Sequence, residues 1–164
     1  MLGYIKISLG IFIALAASRL IPHPPNFTSL MALSFYIPAI LGIRFIPALI
    51  VSFLITDLII GFHALIFFTW GSVIVIGLMS KFFLRRMTNR LLGALMGACL
   101  FYIITNFGVW SLGSYGYTLD GLITCYVVAI PFFGNTLVST IFFSLVIEFL
   151  LRIFNFGKKS VSSP

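Results

Sequence analysis

A series of long apolar runs, separated by short stretches with prolines and basic residues, constrains this chain more than any other feature. A helix that crosses a bilayer needs about 20 mostly apolar residues. Because the runs are continuously apolar and do not alternate, they predict helices and not the strands of a membrane barrel. Cut at its charges and prolines, the sequence yields six runs, at residues 4–20, 27–42, 45–62, 64–83, 91–112 and 132–154.

Composition agrees with this partition. The chain is 61% hydrophobic and 8% charged, with a mean hydropathy of +1.20, and a water-soluble domain could not place so much apolar surface against water. The sequence contains no separate soluble domain or linker. It therefore predicts an all-α integral membrane protein with a single membrane domain, residues 1–164, and six transmembrane helices.

Basic residues decide the number of spans near the C-terminus. The stretch 121–154 is too long for one span and short for two. With six spans, nine of the ten basic residues fall on one side, which the positive-inside rule makes cytoplasmic. These residues are Lys6, Arg44, Lys81, Arg85, Arg86, Arg90, Arg152, Lys158 and Lys159. The sequence thus predicts cytoplasmic N- and C-termini and a short interfacial or re-entrant segment at 121–131, and it accounts for the net charge of +7 without nucleic-acid binding.

Two other features bear on processing and on metals. Lys6, the apolar residues 7–14 and the small residues of "ALAAS" also resemble a cleavable secretory signal, so cleavage of the first helix stays open. Cys99 and Cys125 lie in apolar surroundings without CxxC spacing. They indicate neither a disulfide framework nor a metal site, and the sequence predicts no cofactor.

The three predicted external connections carry unusual chemistry. The first, "RLIPHPPNF" at residues 19–27, is called the proline loop here; "GFH" at 61–63 and residues 106–121 are the others. Prolines fix φ, so the proline loop holds His23 and Asn26 with less ordering entropy than a flexible loop would. A rigid polar lid over a helical bundle predicts a binding site.

Polar residues inside the predicted helices cluster toward the same outer side. An intramembrane carboxylate such as Asp57 costs about 2.5–3.5 kcal/mol at the midplane and needs a partner, either Arg19 or a ligand. Tyr102, Asn106 and Trp110 share one helix face by their four-residue spacing. The predicted substrate-binding residues are His23, Asn26, Asp57, His63, Tyr102, Asn106, Trp110 and Asn135.

Simpler roles stay open for several of these residues. Trp110 and Trp70 suit interfacial anchors, because aromatic belts are common at both membrane surfaces. His23 suits a cap within the proline loop. Glu148 and Arg152, four residues apart, predict a structural ion pair on the last helix.

Small residues mark one face of the first helix. Gly10, Ala14 and Ser18 recur at four-residue spacing, which allows another helix to approach closely. We predict that this face docks a partner protein. Gly93 and Gly97 show the same four-residue spacing of small residues on the fifth helix, where we expect them to serve packing inside the bundle.

Several motifs resemble a known family. The segments "SRLIPHPPNFT", "SFLITDLIIGFH", "TNFGVW" and "CYVVAIPFFGNTL" look like an uncharacterised bacterial six-helix membrane-protein family related to the substrate-binding S components of energy-coupling factor (ECF) transporters. The resemblance implies a subunit in the bacterial cytoplasmic (inner) membrane that captures a vitamin or another small cofactor precursor on its external face. It also implies inward release when the protein reorients with an ECF coupling subunit and ATPases.

Departures from that family limit the prediction. S components carry an alanine-x-x-x-alanine pattern on the first helix, and this chain has Gly10, Ala14 and Ser18 instead. That difference leaves open whether the chain works alone. There is no GxxxxGK[ST] phosphate loop, so any ATPase must be another subunit. Arg19 is the only basic residue on the predicted external side, which favours a neutral or cationic ligand, such as an aromatic vitamin or a corrinoid whose cobalt binds a histidine.

Two other functional classes remain. A small assembly subunit of a larger membrane complex, with no ligand, would use the same small-residue face. An intramembrane enzyme is disfavoured because the sequence has no Ser nucleophile motif, no HExxH and no paired carboxylates at one level.

Overall fold

The computed structural model describes residues 2–154, and over that range the chain is all-helical, with no strand. Lys158 and Lys159, which entered the charge argument, lie outside the described residues. Short 3-10 turns at Ile43–Phe45 and Ser80–Phe82 join neighbouring helices. The seven α-helices are α1 (Leu2–Leu20), α2 (Leu30–Leu41), α3 (Ile46–Ile60), α4 (Ile66–Met79), α5 (Met87–Ser111), α6 (Leu119–Val128) and α7 (Ile130–Ile153).

Four stretches are long and apolar enough to cross a membrane, namely Leu2–Leu20, Ile43–Ile60, Met87–Ser111 and Ile130–Ile153. Three further apolar helices are shorter: Leu30–Leu41, Ile66–Phe82 and Leu119–Val128. The predicted all-α architecture is therefore confirmed for the described residues. The membrane assignment is supported by four helices of sufficient length.

Burial follows the pattern of a protein whose surface faces lipid. Large apolar side chains on the helices are exposed, as at Phe67 with 84% and Leu58 with 59%. Hydroxyl side chains such as Thr140 and Ser72 are fully buried instead. With no water to bind hydroxyl groups in a bilayer core, such groups are placed between helices.

Helix boundaries depart from the predicted ones at two places with clear causes. The run 27–42 becomes helical only at Leu30, because a turn closed by the Phe27 amide on the Pro24 carbonyl (3.0 Å) precedes it, with Asn26 at a φ of 62°. The fifth helix begins at Met87 and not at 91, since it continues through Arg90. The charge of Arg90 is matched by Glu148, so it does not end the helix.

The centre of the bundle is α2, whose residues 30–36 are all buried. It packs against α4, α5 and α7, while α1 packs chiefly against α3. Two glycines of α5 allow close approaches of neighbouring helices: a Cβ on Gly93 would lie 2.4 Å from the Phe35 ring, and one on Gly97 would lie 2.9 Å from Ile76. Both glycines therefore serve packing inside the bundle.

The predicted interfacial segment 121–131 is helical in most of its length. The ten-residue α6 starts at a cap in which the Thr118 hydroxyl accepts a hydrogen bond from the Gly121 amide (3.0 Å). A Cβ at Gly121 would lie 2.4 Å from the Gly116 carbonyl oxygen, so this tight turn requires glycine. α6 contacts α5 and leads into α7, whose first turn contains Pro131.

Candidate ligand-binding cavity

A cavity of about 480 Å³ lies at one end of the bundle. It is bounded by the C-terminal parts of α1, α3 and α5 and by the N-terminal parts of α2, α4 and α7. Since these helices alternate in direction, α1 begins and α7 ends at the opposite end. The described lining residues are Arg19, His23, Asn26, Thr28, Leu30, Met31, Phe53, Ile60, His63, Leu65, Thr69, Phe101, Tyr102, Thr105, Asn106, Val109, Ala129, Phe132, Phe133 and Thr136.

Arg19 is the one cationic side chain of the described lining apart from the histidines, and it is held in place by α3. Its Nη2 lies 2.6 Å from Oδ1 of Asp57, and its Nη1 donates to the hydroxyl of Thr56. The guanidinium also stacks over the ring of Phe53, 4.4 Å from the centroid. These contacts leave the Arg19 side chain 13% exposed and its charge neutralised.

Asp57 does not line the cavity, because Arg19 stands between them. Its side chain is 1% exposed, and its Oδ2 accepts a hydrogen bond of 2.9 Å from Nε1 of Trp70. Of the two roles open from the sequence, the ion pair is therefore the one formed. Trp70 therefore donates a hydrogen bond to a buried carboxylate of the bundle.

Aromatic rings form the wall on the α5–α7 side. The ring of Tyr102 stacks on that of Phe133 with centroids 4.4 Å apart, and its hydroxyl donates to the Tyr126 carbonyl oxygen (2.5 Å). Asn106, 9% exposed, donates from its amide nitrogen to the Tyr102 carbonyl oxygen (2.8 Å). The rings are thus fixed before any ligand arrives.

The proline loop covers the cavity and is tied down by its own side chains. His23 places Nδ1 2.7 Å from the Pro24 carbonyl oxygen and Nε2 3.3 Å from that of Arg19. Asn135 donates from its side-chain nitrogen to the Pro25 carbonyl oxygen (2.9 Å), which links the loop to α7. His23 therefore shapes the loop and also lines the cavity.

Five of the eight predicted substrate-binding residues line the cavity: His23, Asn26, His63, Tyr102 and Asn106. Three do not. Asp57 lies behind Arg19, Asn135 holds the proline loop, and Trp110 donates from Nε1 to the Thr118 carbonyl oxygen (3.1 Å) and packs near Tyr117. Of the three residues on one face of α5, Tyr102 and Asn106 therefore line the cavity and Trp110 does not.

Sequence reasoning missed the threonines and phenylalanines of the lining. Thr105 lies beside Asn106, and Thr136 lies beside Asn135. A step of one residue turns a side chain by about 100° around a helix, so Thr136 faces the cavity in place of Asn135, whereas Thr105 lines it together with Asn106. No signal in a sequence this rich in Phe separates Phe101 and Phe133 from lipid-facing rings.

The predicted pair of Glu148 with Arg152 is wrong. Both oxygens of Glu148 accept hydrogen bonds from Arg90 of α5, each 2.7 Å long. Arg152 instead points its Nη2 at the sulfur of Met87, 3.4 Å away. A bidentate contact across two helices is stronger than a pair on one exposed helix face.

The predicted docking face of α1 divides into two parts. Gly10 and Ala14 are exposed, and a Cβ added to Gly10 would meet nothing within 4 Å. Ser18 is half-buried, and its hydroxyl lies 2.6 Å from that of Ser29 on the approach to α2. Only the first two residues therefore present a small outward surface.

Within residues 2–154, no three His, Cys, Asp or Glu side chains are grouped as they would be to hold a metal ion. Cys125 is buried on α6, and this burial raises the pKa of its thiol above the usual value. A raised pKa lowers the thiolate fraction at neutral pH, so Cys125 is a poor nucleophile.

Comparison with known proteins adds one match. The model of a family described as a family of unknown function, DUF6580, matches residues 4–160. No curated protein and no solved structure matches the chain.

Proposed function

We propose that this chain, which belongs to the DUF6580 family of unknown function, is a membrane subunit that binds a small, uncharged molecule with an aromatic part. The observation that carries this proposal is the preformed cavity of about 480 Å³. Pockets for small molecules are mostly apolar, with a few placed polar groups. Here Phe101, Tyr102 and Phe133 supply rings, and Asn106 with threonine hydroxyls supplies hydrogen bonds.

The charges around the cavity favour a neutral ligand. No carboxylate is among the described lining residues, and the guanidinium of Arg19 is already matched by Asp57. A polyanion would find no unpaired guanidinium or ammonium group among the described lining residues, and a cation would find only ring faces. Ligand pockets span about 300–1,000 Å³, so a cavity in the lower half of that range suits a single ring system better than a corrinoid.

Six crossings are part of the proposal. α2 is short but enclosed by α4, α5 and α7, so its length need not match the lipid. Basic residues gather at the end of the bundle remote from the cavity. The connections there carry Arg44, Lys81 and Arg86, and the helix ends there carry Lys6, Arg90 and Arg152. This clustering supports cytoplasmic termini, with α6 as an interfacial segment on the outer side.

Labelling of single cysteines tests this topology. In a background without Cys99 and Cys125, Ser114→Cys should react with an impermeant thiol reagent in intact cells, and Thr88→Cys should react only after lysis. Ser114 is exposed beyond α5, and Thr88 is exposed in its first turn. Labelling of Thr88→Cys in intact cells would contradict the proposed orientation.

Uptake is the role we assign to ligand binding. The resemblance to ECF S components supports a subunit that captures a vitamin or another cofactor precursor outside and releases it inside with a coupling subunit and ATPases. The cavity at the proposed outer end is consistent with capture of the molecule. The exposed Gly10 and Ala14 on α1 are consistent with docking onto a coupling subunit.

A second candidate, an assembly subunit without a ligand, is favoured by the same α1 surface. Ala14→Leu should weaken association with a membrane partner in either case, because the larger side chain blocks close helix approach. Ile13→Leu is the matched control, since Ile13 is 57% exposed on the neighbouring face and keeps its volume. The two candidates then differ only in whether the cavity is occupied.

Native mass spectrometry of the detergent-purified protein is the test of the cavity. We expect a retained small molecule that is lost or depleted in Asn106→Ala, since removing a buried hydrogen-bonding group costs about 1–3 kcal/mol. Asn89→Ala is the matched control, because Asn89 is on the same helix but does not line the cavity. An empty protein, or equal retention in both variants, would contradict ligand binding in this cavity.

A further inference from the structure

A line of buried polar side chains runs along α7 from the cavity to the opposite end of the bundle. Thr136, Thr140, Ser144 and Glu148 recur at four-residue spacing and are between 0% and 4% exposed. This spacing places all four on one helix face. Thr136 lines the cavity. At 1.5 Å per residue, the twelve residues to Glu148 span about 18 Å, which is most of a bilayer core.

The inner end of this line is closed by an ion pair between α5 and α7. Nε and Nη2 of Arg90 donate to Oε1 and Oε2 of Glu148, and each hydrogen bond is 2.7 Å long. Nη1 of Arg90 also donates to the Leu84 carbonyl oxygen (3.1 Å). This bidentate arrangement fixes both side chains and holds the two helices together at that end.

Two buried hydroxyls beside the ion pair make no hydrogen bond of normal length and angle, although they lie near each other and one lies near Glu148. They belong to Tyr36 and Ser144, and both residues are 0% exposed. Tyr36 lies close enough to interact with Glu148, Arg90 and Ser144. Protein interiors usually satisfy such groups with ordered water, which needs two to four polar partners. Tyr36, Ser144 and Glu148 supply that number around one point of the α2–α7 interface.

Ordinary helix packing explains only part of this line. Thr136 and Thr140 donate to backbone carbonyls one turn earlier, as hydroxyls in membrane helices commonly do. That pattern gives no reason to bury the hydroxyls of Tyr36 and Ser144 beside a charged pair without hydrogen bonds of normal geometry. It also gives no reason to bury a charged pair, which apolar residues could replace without loss of stability.

We propose that the line of Thr136, Thr140, Ser144 and Glu148 is a water-accessible route toward the inner end, and that Arg90–Glu148 is its gate. We call this line the α7 seam. In this structure the gate is closed. Opening it requires α7 to separate from α5 and α2 at the inner end, while the aromatic wall around the cavity stays in place.

This inference rests on the proposed function, because the seam gives a neutral ligand bound in the cavity a path inward. It specifies how release occurs within the subunit itself. The side chains of the seam are hydroxyls and one paired acid, so the route suits water and small uncharged molecules better than ions.

Cysteine reactivity at Ser144 tests the seam directly. The Ser144→Cys variant is made in a chain lacking Cys99 and Cys125, and its reaction rate with N-ethylmaleimide is measured in detergent without added ligand. We expect slow reaction with the gate intact. With Glu148→Gln added, we expect a rate at least about tenfold higher, because the charged partner of Arg90 is lost.

Ser52→Cys is the matched control for general loosening. Ser52 is 3% exposed on α3, its hydroxyl donates to the Ala48 carbonyl oxygen, and it does not belong to the seam. Its cysteine should react equally slowly with and without Glu148→Gln. A parallel rise at both positions would mean that the whole bundle has loosened, and it would overturn the proposal.

Two further variants guard against a fold that does not tolerate Glu148→Gln. Arg90→Lys keeps the charge but loses the bidentate contact, so it should give an intermediate rate at Ser144→Cys. Exchange of the two charges, Arg90→Glu with Glu148→Arg, should restore slow reaction. Unchanged rates at Ser144→Cys in Arg90→Lys and Glu148→Gln would show solid packing and would overturn the gate.

Failure of the gate and failure of ligand binding give separate results. The reactivity of Ser144→Cys is measured without ligand, whereas cavity occupancy is read from the mass of the purified protein. A retained molecule with no change in reactivity would overturn only the gate. A responsive seam in a protein that never retains a molecule would overturn only the proposed ligand.

Discussion

Two buried ion pairs of the same chemistry stand at opposite ends of this bundle, and their surroundings make them different. Arg19–Asp57 borders the cavity, and its carboxylate also accepts a hydrogen bond from Trp70. Arg90–Glu148 lies away from the cavity; Glu148 accepts two hydrogen bonds from Arg90, and the hydroxyl of Tyr36 lies beside its carboxylate. The carboxylate of the first pair accepts a hydrogen bond from a third helix through Trp70, whereas both 2.7 Å hydrogen bonds to Glu148 come from one guanidinium.

This difference suggests a division of labour. At the cavity end, Arg19 is held by Asp57, Thr56 and the Phe53 ring, so this wall of the cavity is fixed. At the opposite end, the hydroxyls of Tyr36 and Ser144 lie beside the Arg90–Glu148 pair without hydrogen bonds of normal geometry. A structure that binds at one end and opens at the other would need this asymmetry, because rigidity favours binding and a single contact favours opening.

Arg90→Met should cause the largest loss of stability. It leaves the carboxylate of Glu148, whose side chain is 4% exposed, without either of its Arg90 donors. Removing one partner of a buried pair costs about 3–5 kcal/mol. Thermal unfolding in one detergent checks this expectation. A loss no greater than that of Arg19→Met would remove the distinction between the two pairs.

Trp70→Phe should show how much of the outer pair depends on its third partner. The substitution keeps an aromatic ring but removes the donor to Oδ2 of Asp57. A hydrogen bond to a charged group contributes about 1.5–3 kcal/mol. We expect a stability loss in that range, and a larger loss when Arg19→Met is added. Strict additivity in this double-mutant cycle would show that the two contacts are independent.

Asn135→Ala should have a smaller effect that is confined to the cavity end. Its amide donates to the Pro25 carbonyl oxygen and ties the proline loop to α7. Losing one such neutral hydrogen bond costs about 0.5–1.5 kcal/mol. Hydrogen exchange should rise in residues 21–29 and stay unchanged around Glu148. Faster exchange around Glu148 as well would show that the two ends of the bundle are coupled.

Arg152→Ala should have the smallest effect of the series. Arg152 is exposed, and its contact with the sulfur of Met87 is weak. No measurable change in thermal stability is expected, since exposed charges contribute little. A loss comparable to that of Arg90→Met would mean that Glu148 pairs with Arg152 in the membrane, as the sequence spacing predicts.

The sequence alone predicted the helical class and several of the cavity residues. Apolar runs of spanning length require helices in a bilayer, and the prolines around His23 and Asn26 predict a rigid loop that covers a site. Five predicted residues do line the cavity. Trp110 and Asn135 were misplaced because helical spacing gives a residue's face but not the direction in which that face points.

What the sequence by itself determined is local: where helices form, where glycine and proline end them, and at which end the basic residues gather. What only the tertiary structure decided is which distant groups meet. Arg19 reaches Asp57 across 38 positions and Arg90 reaches Glu148 across 58. In an apolar interior each buried charge must find a partner, but several candidates satisfy that rule, and only the packing of helices around α2 selects between them.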